Sequence, residues 1–225
     1  MKLGILGGIG PEASCYFYAE IIKRLQERGR IRRNADYPQI IINSINAPEL
    51  TTLQVTDEML APYVEGLKEL AALQPDYIVM ACNSIHVFRE QLIKQSGYSN
   101  ISDVAQIVAK AVGQRKGKIC TLATPATVIS GLYNIPGREY SDPAESELIE
   151  IGNVVANYNA TGEIKKNKEM LMRIANAHQK DGASIYIAGC TEVSELLRSE
   201  NDITLIDTLE LLIEDTLQRI QPEAD

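Results

Sequence analysis

Two apolar runs constrain this chain more than any other feature. Tyr77-Ile78-Val79-Met80-Ala81 ends at Cys82-Asn83-Ser84, and Ser184-Ile185-Tyr186-Ile187-Ala188-Gly189 ends at Cys190-Thr191-Glu192. Unbroken β-branched and aromatic residues predict a buried strand. Each run stops at a cysteine, followed by residue types that cap a helix N-terminus. After Cys82 the pattern predicts a helix through Ile85, Phe88 and Leu92. Strand, turn and helix in alternation build a parallel α/β sheet, which places its chemistry at the carboxyl ends of its strands. A thiol at that point faces a helix N-terminus, and the positive partial charge there predicts a lowered pKa. Two cysteines in matched settings, 108 positions apart, are the strongest functional signal in the chain.

The remaining segments follow the same grammar. Lys2 to Leu6 reads as a strand, and Gly7-Gly8-Ile9-Gly10-Pro11-Glu12-Ala13 turns into a helix carrying Tyr16, Ile21, Ile22 and Leu25 as far as Gly29. Pro11 suits a first helical turn, where its missing N–H costs nothing. A second strand is predicted at Gln39 to Ile42, and residues 57–73 show amphipathic helical spacing. The pattern breaks at Gly97-Tyr98-Ser99-Asn100. A helix at 103–113 and a strand from Lys118 to Leu122 follow, then the turn-rich residues 131–142, with a short strand near Arg138-Glu139-Tyr140. Two helices flank Gly162, the second from about Ile164 to Lys180. The chain closes with a strand at Ile203 to Ile206 and a helix from Asp207 to Ile220.

Lys2-Leu3-Gly4-Ile5-Leu6-Gly7-Gly8 is echoed by Lys118-Ile119-Cys120-Thr121-Leu122-Ala123-Thr124. Each precedes its cysteine-bearing strand by a similar interval, as a duplicated α/β unit requires. The expected fold is therefore α/β with two pseudo-symmetric lobes, each a short, mainly parallel sheet flanked by helices. Residues 1–100 plus 207–225 make the first lobe and 101–206 the second.

Composition narrows the function classes. A net charge of −8 opposes a nucleic-acid partner, and Arg28, Arg30, Arg32 and Arg33 read as solvated cations at a helix end. No apolar run approaches the roughly 20 residues of a membrane span, and the first residues do not read as a signal peptide. Four cysteines in that context predict reduced thiols in the cytoplasm. Without a C-x-x-C pair, and with two histidines, the chain offers no zinc pattern. Gly8-Ile9-Gly10-Pro11-Glu12-Ala13 fits a dinucleotide fingerprint, but its acidic ribose partner is missing at the end of the second strand. The same turn presents backbone N–H groups suited to a carboxylate.

Other candidates divide between packing and chemistry. Cys15 and Cys120 read as small buried apolar residues, and His178 as a surface residue. His86, one turn after Cys82, either packs or tunes the thiol. Glu192 either orients the Cys190 thiol or favours its helix N-terminus. Lys165 and Lys166 open a helix at the end where cations are disfavoured, which hints at a task.

Taken together, Gly7 to Ala13, Ala81-Cys82-Asn83-Ser84-Ile85-His86, Leu122-Ala123-Thr124 with Thr127, and Ala188-Gly189-Cys190-Thr191-Glu192 resemble the aspartate/glutamate racemase family over essentially the whole chain. The resemblance implies two pseudo-symmetric lobes with the active site in the cleft between them, no cofactor and no metal, and a homodimer. It implies that Cys82 and Cys190 flank a substrate α-carbon. Gly8, Asn83, Ser84 and Thr191 would hold its amino and carboxylate groups, with Thr124 and Thr127 as a second set. Lys165 would face a side-chain carboxylate. Ser84, Ile9 and Ile85 stand where Thr, Met and Ala are commoner. Pro48-Glu49-Leu50 stands where archaeal aspartate racemases carry Pro-Asp-Arg.

The implied reaction is racemisation of aspartate, or of glutamate, by a base on one face of the α-carbon and an acid on the other. Racemisation of a neutral amino acid or a hydantoin, and cis-trans isomerisation of a dicarboxylate, stand as alternatives within the family. A two-lobed amino-acid-binding protein stands as the non-enzymatic alternative.

Overall fold

The structure, a computed structural model, describes residues 1–29, 31–48, 50, 55–113 and 115–220. Arg30 of the basic cluster and Glu49 of the Pro48-Glu49-Leu50 run lie outside the described residues. The chain divides into two compact units. One takes the described residues within 1–49, 55–103 and 212–225, the other those within 50–54 and 104–211.

In the first unit β1 (Lys2–Gly7), β2 (Gln39–Ser44) and β3 (Tyr77–Met80) form a parallel sheet of order β2-β1-β3. Leu6 stands opposite both Asn43 and Met80. Leu3, Ile5 and Leu6 of β1 are fully buried, and so are Phe17, Ile21 and Leu25 of α1 (Pro11–Glu27). The spacing of that apolar stripe in α1, three to four residues, is why the segment forms an amphipathic helix. α2 (Asp57–Ala72) buries Leu60, Tyr63, Leu67 and Leu70, and the Thr56 hydroxyl accepts the Met59 N–H at its start. α3 (Arg89–Ser96) and α4 (Val104–Val112) follow β3, α4 belonging to the second unit.

In the second unit β4 (Lys118–Leu122), β5 (Ala183–Ala188) and β6 (Leu205–Asp207) pair in parallel in the order β4-β5-β6. α5 (Pro125–Ile129), α6 (Glu145–Thr161), α7 (Lys165–Lys180) and α8 (Thr191–Leu197) surround it. α6, α7 and α8 bury Ile151, Leu171, Ile174 and Val193 against Cys120, Leu122 and Tyr186 of the sheet. The boundary between the units falls within α9 (Thr208–Ile220).

Two isolated parallel bridges disclose what the three-stranded sheets have in common. Ile78 bridges to Ile101 on the free side of β3, and Ile119 bridges to Tyr140 on the free side of β4. Counting each bridge as a vestigial strand, the orders become β2-β1-β3-Ile101 and Tyr140-β4-β5-β6. They are the same order, with β1 answering to β4 and β3 to β5. One member has shrunk to a single bridge at opposite edges of the two sheets.

Local departures from expectation are few. The segment after Cys82 is not one α-helix from Asn83. It is a 3-10 turn, Ser84–Phe88, followed by α3, and Asn83 makes no side-chain capping bond. The last strand begins at Leu205 rather than Ile203, and its Asp207 carboxylate accepts the Leu209 and Glu210 N–H groups, both at 3.1 Å, to start α9. The short strand expected at 138–140 is reduced to the Tyr140 bridge.

Candidate active site

In the first unit the candidate residues gather where β1 and β3 end. Gly8 has φ +90°, and a Cβ there would stand 2.1 Å from the Ile45 carbonyl oxygen, so only glycine fits. Its N–H donates to Ser14 Oγ, a buried hydroxyl that the sequence did not single out. Next door, Ala81 N–H donates to the Leu6 carbonyl, and Met80 N–H to Ser102 Oγ at 3.0 Å. This anchors the end of β3, and after Ala81 come half-buried Cys82 and then buried Asn83 and Ser84.

His86 does not fill the tuning role in charged form. Its Nε2–H donates to the Met80 carbonyl at 3.2 Å. Burial pushes its pKa down to about 4, against the opposing pull of that carbonyl. A neutral imidazole offers the neighbouring thiol no positive charge.

In the second unit the equivalent ends of β4 and β5 hold the other set. Thr124 precedes α5, and its Oγ1 lies 3.1 Å from Thr127 Oγ1, both residues buried. The Ala188 carbonyl at the end of β5 accepts from Thr208 Oγ1 at 2.7 Å and from Ser194 Oγ at 3.4 Å. Gly189 N–H donates to the Leu122 carbonyl, and a Cβ on Gly189 would stand 2.8 Å from both Ala123 and Tyr133. The turn into Cys190 is therefore held on both sides.

Cys190 is buried and precedes α8 with extended backbone. Its Sγ donates to Glu192 Oε2 at 2.7 Å, and Thr191 Oγ1 donates to the same oxygen at 3.0 Å. Asn159 Nδ2, on α6, donates to Glu192 Oε1 at 3.0 Å. Burial holds the Cys190 thiol well above its ordinary pKa, and the Glu192 carboxylate adds to the shift by charge and by hydrogen bonding. The N–H groups of Val193 and Glu192 at the helix start pull it down, but by less. The helix effect expected from sequence is present, and it loses to desolvation and like charge.

Three other expectations need correction or qualification. Cys15 is exposed on α1 rather than buried, whereas Cys120 is fully buried in β4, where desolvation raises its pKa. His178 is buried, not superficial. Its Nε2–H donates to Glu147 Oε2 at 3.1 Å, leaving Nδ1 to accept from Ser141 Oγ at 2.8 Å. Lys165 is the first residue of α7 and is exposed.

Asn159 is a functional candidate that only its contact with Glu192 reveals. It stands four residues after buried Val155, one turn beyond the last buried residue of α6, and is itself exposed. Among the described residues no three His, Cys, Asp or Glu side chains gather in a metal-binding group, and no helix is long and apolar enough to cross a membrane.

The family model described as Asp/Glu/Hydantoin racemase matches residues 6–216. The chain is 24% identical over 223 residues to the broad specificity amino-acid racemase RacX of Bacillus subtilis (strain 168), covering 96% of each. Its fold is similar to that of Picrophilus torridus aspartate racemase, with TM-score 0.76 at 21% identity over 97% of this chain and 94% of that one. It is also similar to glutamate racemase from Francisella tularensis, solved in complex with D-glutamate, with TM-score 0.63 at 17% identity over 100% and 84%. With the model match running from the end of β1 into α9, through both cysteine turns, the chain belongs to the Asp/Glu/hydantoin racemase family.

Proposed function

We infer that this protein is an amino-acid racemase working without pyridoxal phosphate, with Cys82 and Cys190 as its proton-transfer groups. The observation that carries the reading is the equivalence of the two thiols. Each stands two residues past the end of the corresponding strand, β3 or β5, of two sheets with the same order. Racemisation needs one group to remove the α-proton and another to return a proton to the opposite face. A thiolate and a thiol exchange those roles when the substrate's handedness changes. The charge developing on the α-carboxylate calls for aimed donors; Asn83, Ser84, Thr124 and Thr127 are of the right type beside the two turns, while Gly8 and Thr191 would have to exchange the bonds they make to Ser14 and Glu192 for bonds to substrate. A small-molecule amino acid is then the partner, and a cytoplasmic homodimer the expected state. A monomer mass in light scattering would remove the dimer.

For the substrate, aspartate comes ahead of glutamate, with Lys165 paired to the side-chain carboxylate. A second reading has a specific observation behind it. Leu50, where an arginine is expected in aspartate racemases, is buried, which favours a neutral amino acid. The broad specificity of the Bacillus subtilis relative agrees with that second reading.

The test is a racemisation screen over L- and D-amino acids by chiral chromatography, run in deuterated water. Fast α-deuteration with loss of optical purity supports a racemase, and the amino acid turned over fastest decides the substrate. Binding without α-exchange for every amino acid would leave an amino-acid-binding protein instead. If aspartate is preferred, Lys165→Met should raise its KM or lower its kcat.

A further inference from the structure

Glu192 is held from three directions. Its Oε2 accepts from Cys190 Sγ at 2.7 Å and from Thr191 Oγ1 at 3.0 Å. Its Oε1 accepts from Asn159 Nδ2 at 3.0 Å, from a helix more than thirty residues earlier in the chain. The first two contacts are local and travel with the turn. The third pins the far oxygen to a different element, so it decides whether the carboxylate stays against the thiol or swings away.

We propose that Asn159 is a positioning residue: by holding Glu192 against Cys190, it keeps the proton on that thiol in the resting protein. The inference rests on the racemase reading for its purpose and on this geometry alone for its existence. In a two-thiol mechanism one sulfur must begin protonated and the other ionised. A carboxylate fixed beside Cys190 makes the ionised state there a pair of adjacent negative charges, so Cys190 begins as the acid.

The other charged groups on α8 and the elements packed on it are either exposed, as Glu145, Lys165, Lys166, Glu169, Lys180 and Glu195 are, or paired with one another. α8 packs against α6, α7 and β5. On those elements Glu147 pairs with His178, Glu150 with Arg173 and Lys168 with Glu200, while β5 carries no charged side chain. Glu192 is the charged group that acts on the thiol. Asn159 is exposed, so its replacement leaves the core intact.

The experiment follows Cys190 ionisation without turnover. Ultraviolet thiolate absorbance is titrated in the full-length protein, with the same protein carrying Cys190→Ala subtracted. Asn159→Leu should lower the pH at which Cys190 ionises by about half a unit or more, a few-fold change in its acidity. Glu192→Gln should lower it further. In the Glu192→Gln background, Asn159→Leu should then have no additional effect, because the residue acts through that carboxylate.

An unchanged or raised ionisation pH in Asn159→Leu would overturn the proposal, as would an equal shift persisting in the Glu192→Gln background. Activity separates the two readings. If Cys190→Ala keeps full racemisation, the racemase mechanism fails while the thiol titration still stands or falls on its own.

Discussion

At the scale of single residues, burial alone does not separate the candidate groups; what lies beside each one does. Cys120 and Cys190 are both buried, but Cys190 alone of the two follows a strand end and meets a carboxylate. His86 is the clearest structural residue among the candidates. Its pKa falls to about 4 in the fold, from about 6.5 in the unfolded chain. Between those values the unfolded state binds more protons, so stability falls as pH drops from about 6.5 to about 4, by roughly 3 kcal/mol at most. His86→Gln keeps a donor for the Met80 carbonyl and does not titrate. Urea denaturation from pH 7 to 4 should show a flatter loss of stability in this variant than in wild type. Gly8 is the other decisive residue. Gly8→Ala puts a methyl group 2.1 Å from the Ile45 oxygen at φ +90°. The cost should be at least ~2 kcal/mol in the same assay.

At the scale of elements, the cysteine turns are set by what pins their strands. β5 is fixed at its end by hydroxyls from α8 and α9, which both bind the Ala188 carbonyl. At the opposite ends of β4 and β5, cations serve helix termini instead. Arg138 donates to the Gly113 and Gly117 carbonyls, and Lys118 Nζ donates to the Asp181 carbonyl. Gly113 and Asp181 stand just past the negative ends of α4 and α7, where cations are favoured, and Gly117 lies in the turn that leads into β4. α6 and α7 are clipped by the Ser141–His178–Glu147 chain, in which Glu147 also accepts the Ala144 N–H at 2.9 Å to start α6. Burial raises the Glu147 carboxyl, but the Ala144 N–H and the His178 ring outweigh it and hold its pKa below the usual value. A depressed carboxylate stabilises above the unfolded pKa of about 4.3, and that contribution is lost as pH falls through the folded value. Glu147→Ala should therefore cost about 1 kcal/mol at pH 7. Thermal melts should show the gap to wild type closing below about pH 4.

For the whole molecule, the repeated sheet order gives each half one thiol at the same place, so the proposed activity belongs to the full chain. Either Cys82→Ala or Cys190→Ala should lower racemisation in both directions by at least about 10²-fold, since each direction needs one base and one acid. Cys15→Ala, at an exposed site, should leave both rate and stability unchanged. Cys120→Ala should cost stability but not rate. Chiral chromatography of all four variants beside wild type checks this, and normal racemisation by either of the first two would remove the two-thiol mechanism. A single-cysteine variant that still exchanges the α-proton of one enantiomer, without inverting it, would identify which thiol serves that enantiomer.

What the sequence determined by itself was local. Apolar periodicity, glycine turns and strand-end cysteines are short-range patterns, so β1, β4, α2 and α7 are legible to within a residue or two, and so is the position of a cysteine just past β3 and β5. What only tertiary structure decided was the partner of each side chain. Asn159 and Glu192 lie 33 positions apart, and His178, Ser141 and Glu147 come from three segments. Their contacts exist because helices pack on a sheet, which no short window records. The same holds for thiol acidity. A helix N-terminus is visible in sequence and pulls the Cys190 pKa down, but burial and a facing carboxylate are properties of the folded chain, and they prevail.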